Sequence, residues 1–281
     1  RVQATYFASP VTTGIRHIDY YISGTATEPP EAPTQYRERL ALLEGAGFCF
    51  NYTIIPDKLQ PQITRNKLGI SETAIAFISG ANLFKIIPEI RETWAKILAA
   101  VPDSVLILYP FGSTWSSNYP KPAFINRMTA LFERYGISRD PVPPLLRGVR
   151  GDRLIILDRL ADRSQVKQVL NLADIYLDSY PYAGANSTVD PLEVGLPTVV
   201  REGNSLRSRQ GAALLRELEL FDLITNTETD YIQLSIRLAK DANLRHHWQQ
   251  KIQQKMQPHP GFLDSRAYGK KMAAMFSRLL T

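Results

Sequence analysis

A single cysteine, Cys49, stands in 281 residues, so no intramolecular disulfide can form. No Cys/His spacing resembles a zinc site either. A reducing, cytoplasmic setting is the expectation from that scarcity. No apolar run approaches the ~18–20 residues needed to span a bilayer, and no signal peptide opens the chain. Neither a Gly-x-Ser-x-Gly elbow nor a Cys/His pair is present, which disfavours hydrolase chemistry. Aromatic-interleaved RNA-binding boxes are missing too, and the basic residues are spread over many helical faces. The formal net charge of +6 therefore suits a phosphate-bearing small molecule better than a nucleic-acid polymer. Arg1 in place of Met suggests a piece of a longer protein. What is present is ordinary for a globular chain: 44% apolar and 21% charged residues exclude disorder, and the length holds one large or two modest domains.

From about residue 74, strand-like and helix-like runs alternate. Ala74-Ile-Ala-Phe-Ile-Ser-Gly80 is short, apolar and closed by glycine, as a buried parallel strand is. Ile90, Trp94, Ile97 and Leu98 then recur at helical spacing. Strands follow at 104–109, 154–157, 175–178 and 197–201. Helices are expected through Phe124 to Phe132, over 166–173 and from Asn186, and the last third reads as helices over 205–220, 227–240, 243–256 and 265–280. This rhythm predicts an α/β fold: a Rossmann-like parallel sheet with helices on both faces. Before it, Ala4–Phe7 and Ile18–Ile22 are apolar stretches, and 24–33 has the composition of a linker. Residues 112–121 and 137–152 read as surface loops; Trp115 and Tyr119 could there touch a ligand or pack over the sheet edge.

The stretch from Leu177 to Val200 carries the chemistry. A strand ends at Asp178, a loop carries Gly184, and Asn186-Ser187-Thr188 stand where a helix begins, with Asn and Ser suited to capping it. The first amides of such a helix lack intrahelical partners and sit at the positive end of its dipole, a ready site for a diphosphate. Asp190, about one turn in, can accept hydrogen bonds from two ribose hydroxyls. A capped helix with no ligand explains the same residues, and spacing alone does not choose between the two.

Further blocks decide in favour of a ligand. Leu177-Asp178, Pro181-Tyr182, Gly184 to Asp190 and Gly195-Leu196-Pro197 resemble the signature of the O-GlcNAc transferase/SPINDLY family of GT-B glycosyltransferases. Asn82-Leu-Phe-Lys-Ile86 resembles that family's Asn-x-Tyr-Lys-Ile element. Pro10-Val-Thr-Thr-Gly14 with Ile18-Asp19-Tyr20 is similar to the end of its N-terminal lobe, and Ser208-Arg209 to a pair opening a later helix.

The resemblance implies an inverting, metal-independent transfer of GlcNAc or hexose from a nucleotide sugar, UDP-linked, to a protein hydroxyl. The nucleotide sugar is then a co-substrate and no cofactor is expected. It implies that Lys85 neutralises the departing diphosphate and that Asn82 orients phosphate or sugar. Phe84 takes a tyrosine's place without the hydroxyl. Asn186, Ser187 and Thr188 are implied to bind pyrophosphate beside Tyr182, Gly184 and Ala185, and Asp190 to bind ribose. Leu160 and Ala161 are implied to hold the base through main-chain groups, Arg163 to substitute for a ribose-binding lysine, and Pro10 to lie near the sugar. The family's usual His is Ala185 here, its first Thr is Asn186, and Arg163-Ser-Gln-Val166 has no His. The donor therefore stays open among UDP-GlcNAc, UDP-hexose and GDP-fucose. So do two other readings, an inactive nucleotide-binding scaffold and a GT-B epimerase.

The expected organisation is the end of an N-terminal lobe with a linker over 1–70, a nucleotide-sugar-binding lobe over 71–258, and a final helix over 259–281 crossing back to the first lobe. A general base is expected on the opposing lobe. His17, His246, His247 and His259 read as packing or surface residues.

Overall fold

Why the chain forms a large sheet is visible in its inner strands: short, β-branched or leucine-rich, and apolar on both faces, the mark of strands covered on both sides. The computed structural model describes residues 1–7, 9–52, 63–110, 121–137, 148–151, 153–158 and 160–280. It opens with β1 (Ala4–Tyr6), β2 (Tyr20–Gly24) and β3 (Arg39–Leu43), a small parallel sheet in sequence order. A one-turn helix, α1 (Arg65–Leu68), leads to β4 (Ile75–Ser79), α2 (Pro88–Ala100), β5 (Ser104–Leu108) and α3 (Lys121–Arg134). Then come β6 (Gly148–Gly151), β7 (Leu154–Leu157), α4 (Arg163–Leu170), β8 (Ile175–Leu177), α5 (Asn186–Glu193) and β9 (Thr198–Arg201). The chain continues through α6 (Leu206–Glu217), β10 (Ile224–Thr225), α7 (Glu228–Lys240), α8 (Ala242–Met256) and α9 (Ser265–Leu280). No helix of the described residues is long and apolar enough to cross a membrane.

The large sheet has the order β10-β9-β8-β4-β5-β7-β6, parallel except for the β6–β7 pair. From β4 the chain builds outward through β5 and β7, then returns to place β8, β9 and β10 on the other side of β4. The direction of winding thus reverses between β4 and β8, which are hydrogen-bonded neighbours. Loops leaving the carboxyl ends of two such strands diverge and leave a crevice, the usual ligand position of doubly wound sheets.

Two apolar clusters cover the faces of this sheet. Trp94, Leu98, Phe124, Leu214, Tyr231 and Leu238 belong to one, and Leu68, Ile107, Val166, Val169 and Tyr176 to the other. Met275 of α9 packs with Ile22, Ala41 and Leu43 of the small sheet, and Tyr268 bonds Tyr6 through their hydroxyls at 2.8 Å. Arg65 ties the one-turn α1 to the large sheet: its guanidinium donates to the carbonyls of Leu172 (3.0 Å) and Ala74 (2.9 Å) and pairs with Asp174 at 2.8 Å.

Three expectations change. The 24–33 stretch is ordered structure rather than linker, because Thr27 is fully buried and Glu28 is 7% exposed while accepting from Ser23 and Tyr36. Residues 148–151 form an antiparallel edge strand rather than loop; 138–147 lie outside the described residues. Helix α4 begins at Arg163, three residues early, because Asp162 caps it by accepting from the Gln165 amide at 3.0 Å.

Candidate functional site

Lys85 and the Asp178–Gly184 loop meet at the switch point. After β4 the chain turns through Gly80 and a single 3-10 turn, Leu83–Lys85, capped by Asn82, whose Oδ1 accepts from the Phe84 amide at 3.0 Å. Gly80 is required there: a Cβ would sit 2.6 Å from the Tyr109 ring. The turn leaves Phe84 59% exposed and sends Lys85 to the neighbouring loop, its Nζ 3.8 Å from the Tyr182 ring centroid. Burial lowers the Lys85 pKa, and the nearby Asp178 carboxylate opposes that shift.

Asp178 organises the loop after β8. Its Oδ1 accepts from the amides of Ser179 (2.9 Å) and Gly184 (2.8 Å), while its Oδ2 is buried with no hydrogen-bond partner among the described residues. Burial raises the carboxyl to about 7, against the pull of those two amides and of Lys85. Gly184 has no room for a side chain: an added Cβ would meet Ser187 Oγ and Thr188 Oγ1 at 2.5 Å and Asp178 Oδ1 at 3.0 Å. The backbone thus passes close to both hydroxyls at the start of α5. Contrary to the capping expectation, Ala185 is the N-cap and gives no side-chain bond, while Asn186 is the first helical residue. The Asn186 side chain turns outward instead, its Oδ1 accepting from the Tyr52 hydroxyl.

Beside α5 lies a cavity of about 320 Å³, lined by Leu160, Ala161, Arg163, Asn186, Asp190 and Tyr52, among others. Arg163 Nε donates to Asp190 Oδ1 at 2.6 Å and its Nη2 reaches Glu193, which also pairs with Lys167 at 2.9 Å. Asp190 is 7% exposed; burial raises its pKa, and Arg163 counters the shift. The Ala161 amide donates to the Gln165 side chain at 2.8 Å.

Of the expected site residues, the cavity gathers Leu160, Ala161, Arg163, Asn186 and Asp190, while Lys85, Tyr182 and Gly184 cluster around Asp178. Ser187 and Thr188 face Gly184 between the two groups, with Thr188 Oγ1 buried and without a hydrogen-bond partner among the described residues. Pro10 follows β1, next to Ser9, whose carbonyl accepts from the Tyr21 hydroxyl at 2.6 Å. Trp115 and Tyr119 fall outside the described residues. Sequence reasoning missed Tyr52, Tyr109 and Pro110 in the cavity wall. For Tyr52 the signal was the alternation Phe48-x-Phe50-x-Tyr52. It also missed Glu38, 4% exposed, which accepts from Thr12 Oγ1 (2.6 Å), the Thr13 amide (2.7 Å) and the Thr13 hydroxyl. Burial pushes Glu38 up, but these bonds outweigh it and hold the carboxyl down at about 2.

Fold and site together define a Rossmann-like α/β lobe, with a lysine and a helix start converging at its switch point. The family model described as Glycosyl transferase family 41 matches residues 56–128 and 144–272, and the chain belongs to that family. It is 31% identical over 252 residues to the probable UDP-N-acetylglucosamine–peptide N-acetylglucosaminyltransferase SPINDLY of Petunia hybrida, covering 87% of this chain and 24% of the relative. Against the probable UDP-N-acetylglucosamine–peptide N-acetylglucosaminyltransferase SEC of Arabidopsis thaliana the identity is 25%, covering 85% of this chain and 22% of that one. The chain thus spans about a quarter of the length of these curated relatives. A variant of the Thermobaculum terrenum O-GlcNAc transferase superposes with a TM-score of 0.79 at 24% identity, covering 99% of this chain and 48% of that one. Sucrose-phosphate synthase of Thermosynechococcus elongatus shares the fold, with a TM-score of 0.61 at 12% identity over 94% of this chain and 59% of that one.

Proposed function

We propose that this chain is the donor-binding part of an inverting, metal-independent glycosyltransferase. It moves GlcNAc or a hexose from a UDP-linked donor to a protein hydroxyl. The observation that carries the reading is the convergence at the β4/β8 switch point: Lys85 arrives from one strand, and the Gly184 loop with the start of α5 from its neighbour, beside a cavity ending at Asp190. The names of the SPINDLY and SEC relatives support a nucleotide-sugar donor and a peptide acceptor.

In this reading the first amides of α5, the Ser187 hydroxyl and the Asn186 side chain take the diphosphate, and one Asp190 oxygen accepts from the ribose. Thr188, buried with its amide donating to the Ala185 carbonyl at 3.1 Å, supports the start of the helix. Lys85 supplies positive charge where negative charge develops as the sugar leaves, an interaction stronger in the transition state than in the ground state. Tyr182 and Asp178 keep the ammonium at that place.

Calorimetric titration with UDP and with GDP tests the reading on the wild type and on Asp190→Ala. Saturable UDP binding lost in the variant supports it, and a preference for GDP redirects it to a fucosyl donor. In the full-length parent, Lys85→Ala should lower kcat by about 100-fold or more, as removal of a key charge-stabilising group does. Unchanged transfer rates would make Lys85 a bystander.

A further inference from the structure

Tyr52 belongs to the segment that leaves the small sheet, not to the Rossmann-like lobe, yet it touches both ends of the cavity. Its hydroxyl donates to Asn186 Oδ1 at the first residue of α5. Its ring centre lies 3.3 Å from the Arg163 guanidinium carbon, and the same guanidinium is ion-paired with Asp190 and Glu193. Three groups thus fix Arg163, and only one of them, the ring, is carried by a different part of the chain.

The tyrosine is itself fixed. Alternate residues of an extended segment share a face, and Phe48, Phe50 and Tyr52 form a ladder with ring centroids 5.5 and 6.0 Å apart, the last pair stacked at 12°. Phe7, after β1, extends the ladder by stacking on Phe48 at 4.8 Å. Phe48 is 1% exposed, so the ladder is anchored in the core and ends at the cavity.

We infer that Tyr52 is a positioning residue of the nucleotide site, one side chain that sets two recognition elements. This rests on the donor-site reading above. The hydroxyl orients the Asn186 carboxamide, leaving its donor end for a phosphate oxygen. The ring holds Arg163 flat, so that Asp190 keeps its second oxygen for the ribose while its first is neutralised. The two roles are separable because they use different atoms of Tyr52. The hydroxyl acts on the phosphate side and the ring on the nucleoside side.

The test is calorimetric titration of the chain with UDP and with uridine (GDP and guanosine if the wild type prefers them). It is run on the wild type, Tyr52→Phe and Tyr52→Leu, with melting temperature as the folding control. Tyr52→Phe should weaken UDP about five-fold, the equivalent of one hydrogen bond, and leave uridine unchanged. Tyr52→Leu should weaken UDP about 30-fold and weaken uridine as well, since the cation–π contact goes too. A UDP affinity unchanged in Tyr52→Phe overturns the hydroxyl's role, and that variant decides the point even if Tyr52→Leu does not fold. Equal losses in the two variants overturn the ring's role. Wild-type affinity in both variants, with Asp190→Ala still abolishing binding, overturns the inference and leaves the donor-site reading standing. A wild type that binds neither nucleotide overturns both.

Discussion

Asp178 offers a test in which the sign and size of an effect both follow from one buried carboxyl. The group is 1% exposed, one oxygen accepts from two amides, the other has no partner among the described residues, and burial raises its pKa from the ordinary carboxyl range to about 7. A carboxyl whose folded pKa is raised binds its proton more tightly in the folded than in the unfolded chain. The stability it contributes is therefore fully present below pH ~4 and is lost as pH rises through about 7. At about 1.4 kcal/mol per unit, the loss between pH 5 and pH 8 comes to about 3 kcal/mol. Asp178→Asn keeps an oxygen for the Ser179 and Gly184 amides and removes the titration. The change should leave stability near wild type at pH 5 and make the variant more stable by about 3 kcal/mol at pH 8. Urea unfolding of both proteins at the two pH values measures it. The same variant removes the negative charge that opposes deprotonation of Lys85, so its affinity for nucleotide should fall off earlier on the alkaline side. Parallel stability profiles for the two proteins would refute the reasoning, because they would mean that Asp178 keeps its charge throughout.

Two other changes probe the local geometry. Gly184→Ala places a methyl 2.5 Å from two hydroxyls, so overpacking should cost about 1–3 kcal/mol in urea unfolding and weaken nucleotide binding in calorimetry. A variant that binds and melts like wild type would show that the loop gives way freely. Glu38→Gln removes a charged acceptor of the Thr12–Thr13 turn and should cost about 2 kcal/mol at pH 7. Because the folded pKa is lowered, that stabilisation is present above about pH 4.5 and lost as pH falls through about 2. The gap between variant and wild type should therefore close in acid; a gap constant from pH 7 to pH 2 would count against it.

The five inner strands of the large sheet, β4, β5, β7, β8 and β9, were legible because they are apolar on both faces and the helices between them are amphipathic. The edge strands β6 and β10 are too short and too polar to stand out. The small sheet was not legible either. Arg39–Leu43 begins with a charge at a sheet edge and follows a proline-rich stretch, and its burial pattern of alternating exposed and covered residues is too short to stand out. What makes 24–33 structural is long-range: Glu28 accepts from Tyr36, and Gln35 donates to the Asn204 carbonyl at 2.6 Å, a partner 169 positions away. Propensity in a window carries no information about such pairs.

The candidate site divides along the same line. Gly184, Ser187, Thr188 and Asp190 are close in sequence, so a local string could point to them. Lys85 came from a second string, and the β4/β8 pairing explains why two strings about a hundred residues apart belong to one place. Tyr52 belongs to neither string. Its part depends on an aromatic ladder that starts beside β1, runs through a buried phenylalanine and ends on Arg163 and Asn186. A local motif can encode the groups that touch a ligand, because a helix start or a strand end presents them together. The groups that hold those residues in place are drawn from wherever the fold brings a side chain of the right shape. Replacing Tyr52 therefore tests something that replacing Asp190 does not: whether the segment leaving the small sheet helps to build the proposed nucleotide site or merely leads into the lobe that carries Asp190.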